Sequence, residues 1–196
     1  GVRNPYNYNG VNYNTYGTSG NWINQIAANP LNDWTALDVS NAVASRLTDQ
    51  ETGNRIGVTF DKILCSPAKV WTAKHIQQAT EIETQTQTGT QVRRGAYLGD
   101  TYELISSVYL DQVLTASVAN GGLNLNQSTA DGYWWKLKTG PQGAFVRTEN
   151  WGLDVKQAAA DDFTMLNHKL VLAVFANQMH AFDVLEPRHV QENLPS

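Results

Sequence analysis

The sequence predicts an α+β fold, and three observations carry the prediction. Two capped helix signals stand in the first half, at Asn32-Asp33 and at Ser66-Pro67. The short apolar run Lys62-Ile63-Leu64-Cys65 lies between them and has the length of a buried strand. From residue 133 onward, strand-length runs rich in aromatic and β-branched residues alternate with Gly, Pro and Asp punctuation.

Residues 1–32 form an extended Asn/Tyr-rich segment. Its Asn and Gly favour turns, and its tyrosines can lie on a surface with their hydroxyls wet. It is either a loose end or an arm that orders on a partner. Residues 33–132 make an α/β region. Its first helix starts at Asn32 or Asp33, buries the stripe Ala36, Val39, Val43 and Leu47, and stops at a left-handed Gly53. After the strand at 62–65, Ser66 caps a second helix with Pro67 at its first position. That helix, 67–78, is expected to bury Val70, Trp71, Ala73 and Ile76.

Residues 80–96 are nearly free of apolar side chains, and we expect a mobile loop there. The Thr/Gln alternation of this stretch also fits an exposed β-hairpin arm. Arg93 and Arg94 close it, either as a solvated loop base or as an intersubunit salt bridge. Next come a strand over Tyr102 to Tyr109, a short helix over Asp111 to Ala119, and loop to Gly132. Residues 133–196 read as a β-rich closing region. Its Tyr133–Lys138 and Ala144–Glu149 strands form a hairpin across a Gly-Pro turn. Further strands follow at Gly152 to Ala158, Lys169 to Ala176 and Ala181 to Glu186, and Pro187 ends the regular part.

Composition excludes several functions. Hydrophobic residues make up 41% of the 196, enough for a core, whereas charged residues are only 16%. The balance of 14 basic and 18 acidic residues leaves no cationic surplus for direct nucleic-acid binding. No apolar run is long enough to span a bilayer, so no membrane partner is expected. The weakly charged, amide-rich surface suits a protein that packs against other proteins. The chain begins at Gly1 and reads as a piece processed or excised from something longer.

No catalytic constellation emerges, and we predict no enzyme activity, no cofactor and no metal site. His75, His168, His180 and His189 lack helical zinc spacing, and the single cysteine, Cys65, reads as a small core residue. Glu149, Asp154, Asp161 and Asp162 are expected to be solvated rather than a glycosidase pair. No phosphate-binding loop or nucleophile elbow is present. Trp134 and Trp135 point to opposite faces of one strand. One belongs in the core. The other stacks on a sugar, meets another subunit, or meets another layer of the same sheet system.

Several passages resemble, in order, those of tailed-phage major capsid proteins. They are Lys62-Ile63-Leu64-Cys65-Ser66-Pro67-Ala68 before a helix, Tyr133-Trp134-Trp135-Lys136-Leu137, the aromatic Ala144 to Val155 stretch, and Asp162 to Pro187 with its closing Glu186-Pro187-Arg188. The Tyr/Asn-rich opening and Gly20-Asn21-Trp22 are similar to the segment ahead of that family's first axial-domain helix. The resemblance implies the Hong Kong 97-type capsid fold, as an axial domain plus the closing strands of the peripheral domain. The N-terminal arm, the spine helix and an extended β-hairpin are not seen in this sequence. The implied function is a structural subunit of an icosahedral phage or prophage shell in the virion, assembled in the host cytoplasm. Its partners would be copies of itself in hexameric or pentameric capsomers, the upstream half of the same subunit, and packaged DNA only indirectly. Thr84, Gln85, Thr86, Gln87, Thr88, Arg93 and Arg94 would contact a neighbour near the capsomer axis. Alternatives are an encapsulin-type nanocompartment shell and a β-rich carbohydrate-binding module.

Overall fold

The computed structural model describes residues 6–8, 10–19, 23–49, 52–79, 81–86, 89–94, 102–140, 143–159 and 172–195. The chain divides into two units, Phe145–Asp183 and the combination of Val2–Ala144 with Val184–Ser196. The larger unit is mixed α+β, with four α-helices and a mixed five-stranded sheet among the described residues.

A small antiparallel hairpin comes first, β1 (Tyr6–Tyr8) and β2 (Val11–Tyr13), turning at Gly10 with φ +80°. Then come β3 (Gln25–Ile26), α1 (Trp34–Ala44), β4 (Lys62–Cys65) and α2 (Val70–Gln78). A second hairpin, β5 (Glu81–Thr86) and β6 (Gly89–Arg94), precedes β7 (Glu103–Ser106). Two short helices follow, α3 (Val108–Thr115) and α4 (Gln127–Gly132), then β8 (Trp134–Leu137). The smaller unit holds β9 (Phe145–Ala159) and most of β10 (Leu172–Val184), and β11 (Val190–Asn193) closes the larger one.

The five-stranded sheet runs β3-β11-β8-β4-β7. β4 and β7 are parallel, as are β3 and β11, while β8 is antiparallel to both of its neighbours. Alternation along the strands divides the side chains between two cores. Ile63, Cys65 and Trp134 join Leu31, Leu37, Ala73 and Ile76 on the face that α1 and α2 cover. Trp135 and Val190 join Tyr16, Leu114 and Ala130 on the face that α3 and α4 cover.

The caps follow the local sequence. The Asp33 side chain accepts from the Thr35 amide, and Ser66 accepts from the Ala68 amide with Pro67 at the first position of a 3-10 turn. Beyond the caps, the structure departs from the sequence in several places. The buried face of α1 is Ala36, Leu37, Ser40 and Ala44, while Val39 is 45% exposed. The stripe is displaced because Ser40, though polar, finds a buried partner in Gln191. Helix α1 ends at Ala44, and Gly53 is left-handed in a turn instead, where its amide donates to Asp49 O. Trp71 is 70% exposed rather than core. The expected loop before Gly132 contains α4, capped by Asn126 through the Thr129 amide.

The expected hairpin of β8 with the following strand does not form. β8 pairs with β4 and β11, and β9 pairs with β10. Regular structure continues past Pro187, because Val190-Gln191-Glu192-Asn193 is a fully buried strand inside the main sheet. The 1–32 segment is likewise no loose end where it is described. Asn24 is fully buried; its Nδ2 donates to Thr15 O, Pro187 O and Val190 O, and its Oδ1 accepts from Gly17 N. Three carbonyls and one amide from distant parts of the chain thus converge on one side chain, which fixes β3 beside β11.

The described residues of the Phe145–Asp183 unit form an extended two-stranded ribbon, the 15 residues of β9 and all but the last of the 13 of β10, a feature the sequence did not lead us to expect. The longest described helix is α1, with 11 residues. No helix among the described residues is long and apolar enough to cross a membrane.

Candidate assembly surface

The residues singled out in the 84–94 stretch lie on one hairpin. Thr84 is in register with Gln91, Gln85 with Thr90, Thr86 with Gly89, Arg93 with Ile82 and Arg94 with Glu81. Gln87 and Thr88 lie outside the described residues. β-Branched threonines at alternate positions favour extended backbone, which explains strand here in place of an unstructured loop. Among the described residues the hairpin forms a sheet of two strands, and it starts three residues after α2 ends.

Helix α2 places a second feature near the base of that hairpin. Its apolar period turns Ala73, Ile76 and Gln77 inward, so Trp71, Lys74 and Gln78 share the opposite face. Trp71, Lys74, Gln77, Gln78, Tyr102 and Leu104 line a groove of about 370 Å³. The Lys74 ammonium lies 4.9 Å from the centroid of the Trp71 ring. Gln77 is only 4% exposed, and its Nε2 finds no hydrogen-bond acceptor among the described residues. Trp71 is not the core residue expected from the sequence; its position beside, not on, the Val70, Ala73, Ile76 stripe is the sign that could have revealed this groove.

Behind Tyr102 sits a buried cation. Lys136 is fully buried on β8; its Nζ donates to Asn41 Oδ1 at 2.5 Å and lies 5.0 Å from the Tyr102 ring centroid. Burial pulls its pKa down to about 7. The Tyr102 hydroxyl donates to the same Asn41 oxygen at 2.9 Å, and burial raises its pKa against the opposing effect of that bond.

A third exposed feature is apolar. On α3, Val108, Tyr109 and Val113 are 72%, 77% and 54% exposed, and Val118 just beyond is as bare as Val108. In the separate ribbon, every described side chain from 145 to 183 is exposed, including Leu153, Val155 and Phe182.

Residues considered for chemistry are dispersed. Cys65 is buried and free, and burial, followed by the nearby Asp111 charge, pushes its thiol up to about 11. His75 is exposed on α2, His180 lies on β10, and His168, Asp161 and Asp162 fall outside the described residues. Glu149 and Asp154 are exposed on β9. No group of three or more His, Cys, Asp or Glu among the described residues is placed to hold a metal ion. Trp134 and Trp135 are both buried, each in its own core, so neither offers a ring to a sugar. Trp135 packs beneath α3 and α4, a helical layer on the same sheet. No protein-family model matches this chain, and a search of curated proteins finds no match.

Proposed function

We propose that this chain is a structural subunit of a closed protein shell, of the Hong Kong 97 type found in tailed-phage capsids. The observation that carries the reading is the ribbon of β9 and β10. Two strands alone are marginal in water, and this pair leaves Leu153, Val155 and Phe182 more than half exposed. Such a ribbon gains stability when another surface covers it. The bare α3 face with Val108 and Tyr109 asks for the same covering. The ordered resemblance of 62–68, 133–155 and 162–188 to capsid-protein passages supports the same reading. In it, Thr84 to Thr88, Arg93 and Arg94 meet a neighbouring copy around a capsomer axis, and the shell encloses DNA without base-specific contacts.

Expression of the complete gene product, followed by negative-stain electron microscopy and sedimentation, tests this. Rings or closed shells are the expected outcome. A species that stays monomeric at every concentration and salt condition overturns it. Shells filled with a protein cargo would move the assignment to a nanocompartment.

A further inference from the structure

We propose that the groove between α2 and β7 is the acceptor for strand β5 of a second copy, which adds to the open edge of the main sheet. This deepens the shell-subunit reading and rests on it. Four observations converge. First, among the described residues β7 is the last strand of its sheet. The Glu103 amide donates to Asp61 O at 2.9 Å, so in the parallel register Glu103 and Ile105 bond toward β4. The amide and carbonyl of Leu104 therefore face the open edge, where an incoming strand would pair with them.

Second, Gln77 lines this groove, and its buried Nε2, which meets the groove once the amide turns outward, lacks an acceptor among the described residues. A main-chain carbonyl of an added strand supplies one. Third, Trp71 offers 70% of its surface beside that edge, ready to cover an apolar side chain.

Fourth, charge selects the occupant. The described lining carries Lys74 and no carboxylate, and the acid on β7, Glu103, is paired with Lys62 at 2.8 Å. An acidic strand is the complement. Within this chain, β5 begins Glu81-Ile82-Glu83, with acids flanking an apolar residue. Among the described residues its outer edge is also open, since its sheet holds β5 and β6 alone. β6 ends in Arg93-Arg94 and would be repelled; Arg94 stands in register with Glu81, which leaves Glu83, opposite Val92, as the acid that selects β5. The contact joins two different surfaces, so it propagates head to tail, and the shell reading requires its rotation to close into a ring.

The test places a photoreactive benzoylphenylalanine at Trp71 in the full chain, a position exposed enough to leave folding intact. Isotope-labelled and unlabelled copies are mixed and irradiated, and linked peptides are identified by mass spectrometry. The expected product joins position 71 of one copy to a peptide within 80–95 of another. Lys74→Glu should cut its yield at least about fivefold, and Glu81→Lys with Glu83→Lys should restore it in the Lys74→Glu background. Self-association with crosslinks elsewhere, with crosslinks only within one copy, or with none at position 71, overturns this contact but leaves the shell reading standing. A chain that does not self-associate at all overturns both.

Discussion

Lys136 Nζ lies 2.5 Å from Asn41 Oδ1, and that amide oxygen is the only hydrogen-bond acceptor the buried ammonium has among the described residues. Burial disfavours the charged form, and the pKa near 7 expresses this. Below about pH 7 the lysine is protonated in both states and its desolvation opposes folding. Between about pH 7 and the ordinary lysine value, only the unfolded chain holds the proton, so this group makes stability rise with pH. Urea unfolding of the wild type should show that rise from about pH 7 to about pH 9. Lys136→Met should flatten it and, near neutral pH, match or exceed wild-type stability by about 1–3 kcal/mol. A variant that keeps the slope would show that another group produces it.

Cys65 acts with the opposite sign. Its folded pKa of about 11 lies above the unfolded value, so its contribution is complete below about pH 9 and lost as pH rises toward 11. Native protein should therefore react with a thiol reagent only as fast as it opens. Labelling as rapid as in urea would contradict the burial of Cys65.

Arg188 forks onto Glu186 with two 2.6 Å bonds and reaches Asp49 Oδ2 at 3.1 Å. The network ties the end of the chain to the turn holding Gly53. Burial alone would raise the Glu186 carboxyl, but the Arg188 bonds outweigh it and hold it below its ordinary value. Its stabilisation is present above the unfolded carboxylate pKa and lost as pH falls through the lower folded one. Arg188→Ala should cost about 1–3 kcal/mol near neutral pH and less in acid. Arg188→Lys should recover little, because an ammonium cannot make the fork. Chemical denaturation across the acid range measures both.

Ser40 donates to Gln191 Oε1, while Gln191 Nε2 donates back to Ser40 O at 3.0 Å, all in the core. Gln191→Leu strands the Ser40 hydroxyl and should cost about 1–3 kcal/mol. Adding Ser40→Ala removes the stranded group, so the double variant should be more stable than Gln191→Leu alone. Additive losses in a double-mutant cycle would refute the pairing.

The two neighbouring tryptophans should respond alike, and Trp71 differently. Trp134→Ala and Trp135→Ala each empty a core and should cost about 3–5 kcal/mol. Trp71→Ala should change stability by no more than about 0.5 kcal/mol, because the ring is exposed. Thermal unfolding of the three variants separates the internal pair from the surface residue.

What short-range chemistry decides was legible along the chain. Asp33 and Ser66-Pro67 start helices because their oxygens satisfy free amides a residue or two away, and that needs no tertiary partner. Lys62 to Cys65 is a strand because a short apolar run can satisfy burial and backbone pairing together in a sheet. The Thr/Gln alternation already contained the 81–94 hairpin as an option. Strand pairing was not legible there, because it rests on contacts between distant segments. Val190-Gln191-Glu192-Asn193 looks like a polar tail, yet it is buried between β3 and β8. Ser40 and Asn29 meet Gln191 and Asn193 on one face, and Gln25 meets Glu192 at 2.5 Å. Those partners stand more than 150 residues away in the chain, so hydropathy along the sequence could not reveal them. The Trp71 groove has the same origin: a helix face read locally as core became surface because α2 packs through Ala73, Ile76 and Gln77 instead.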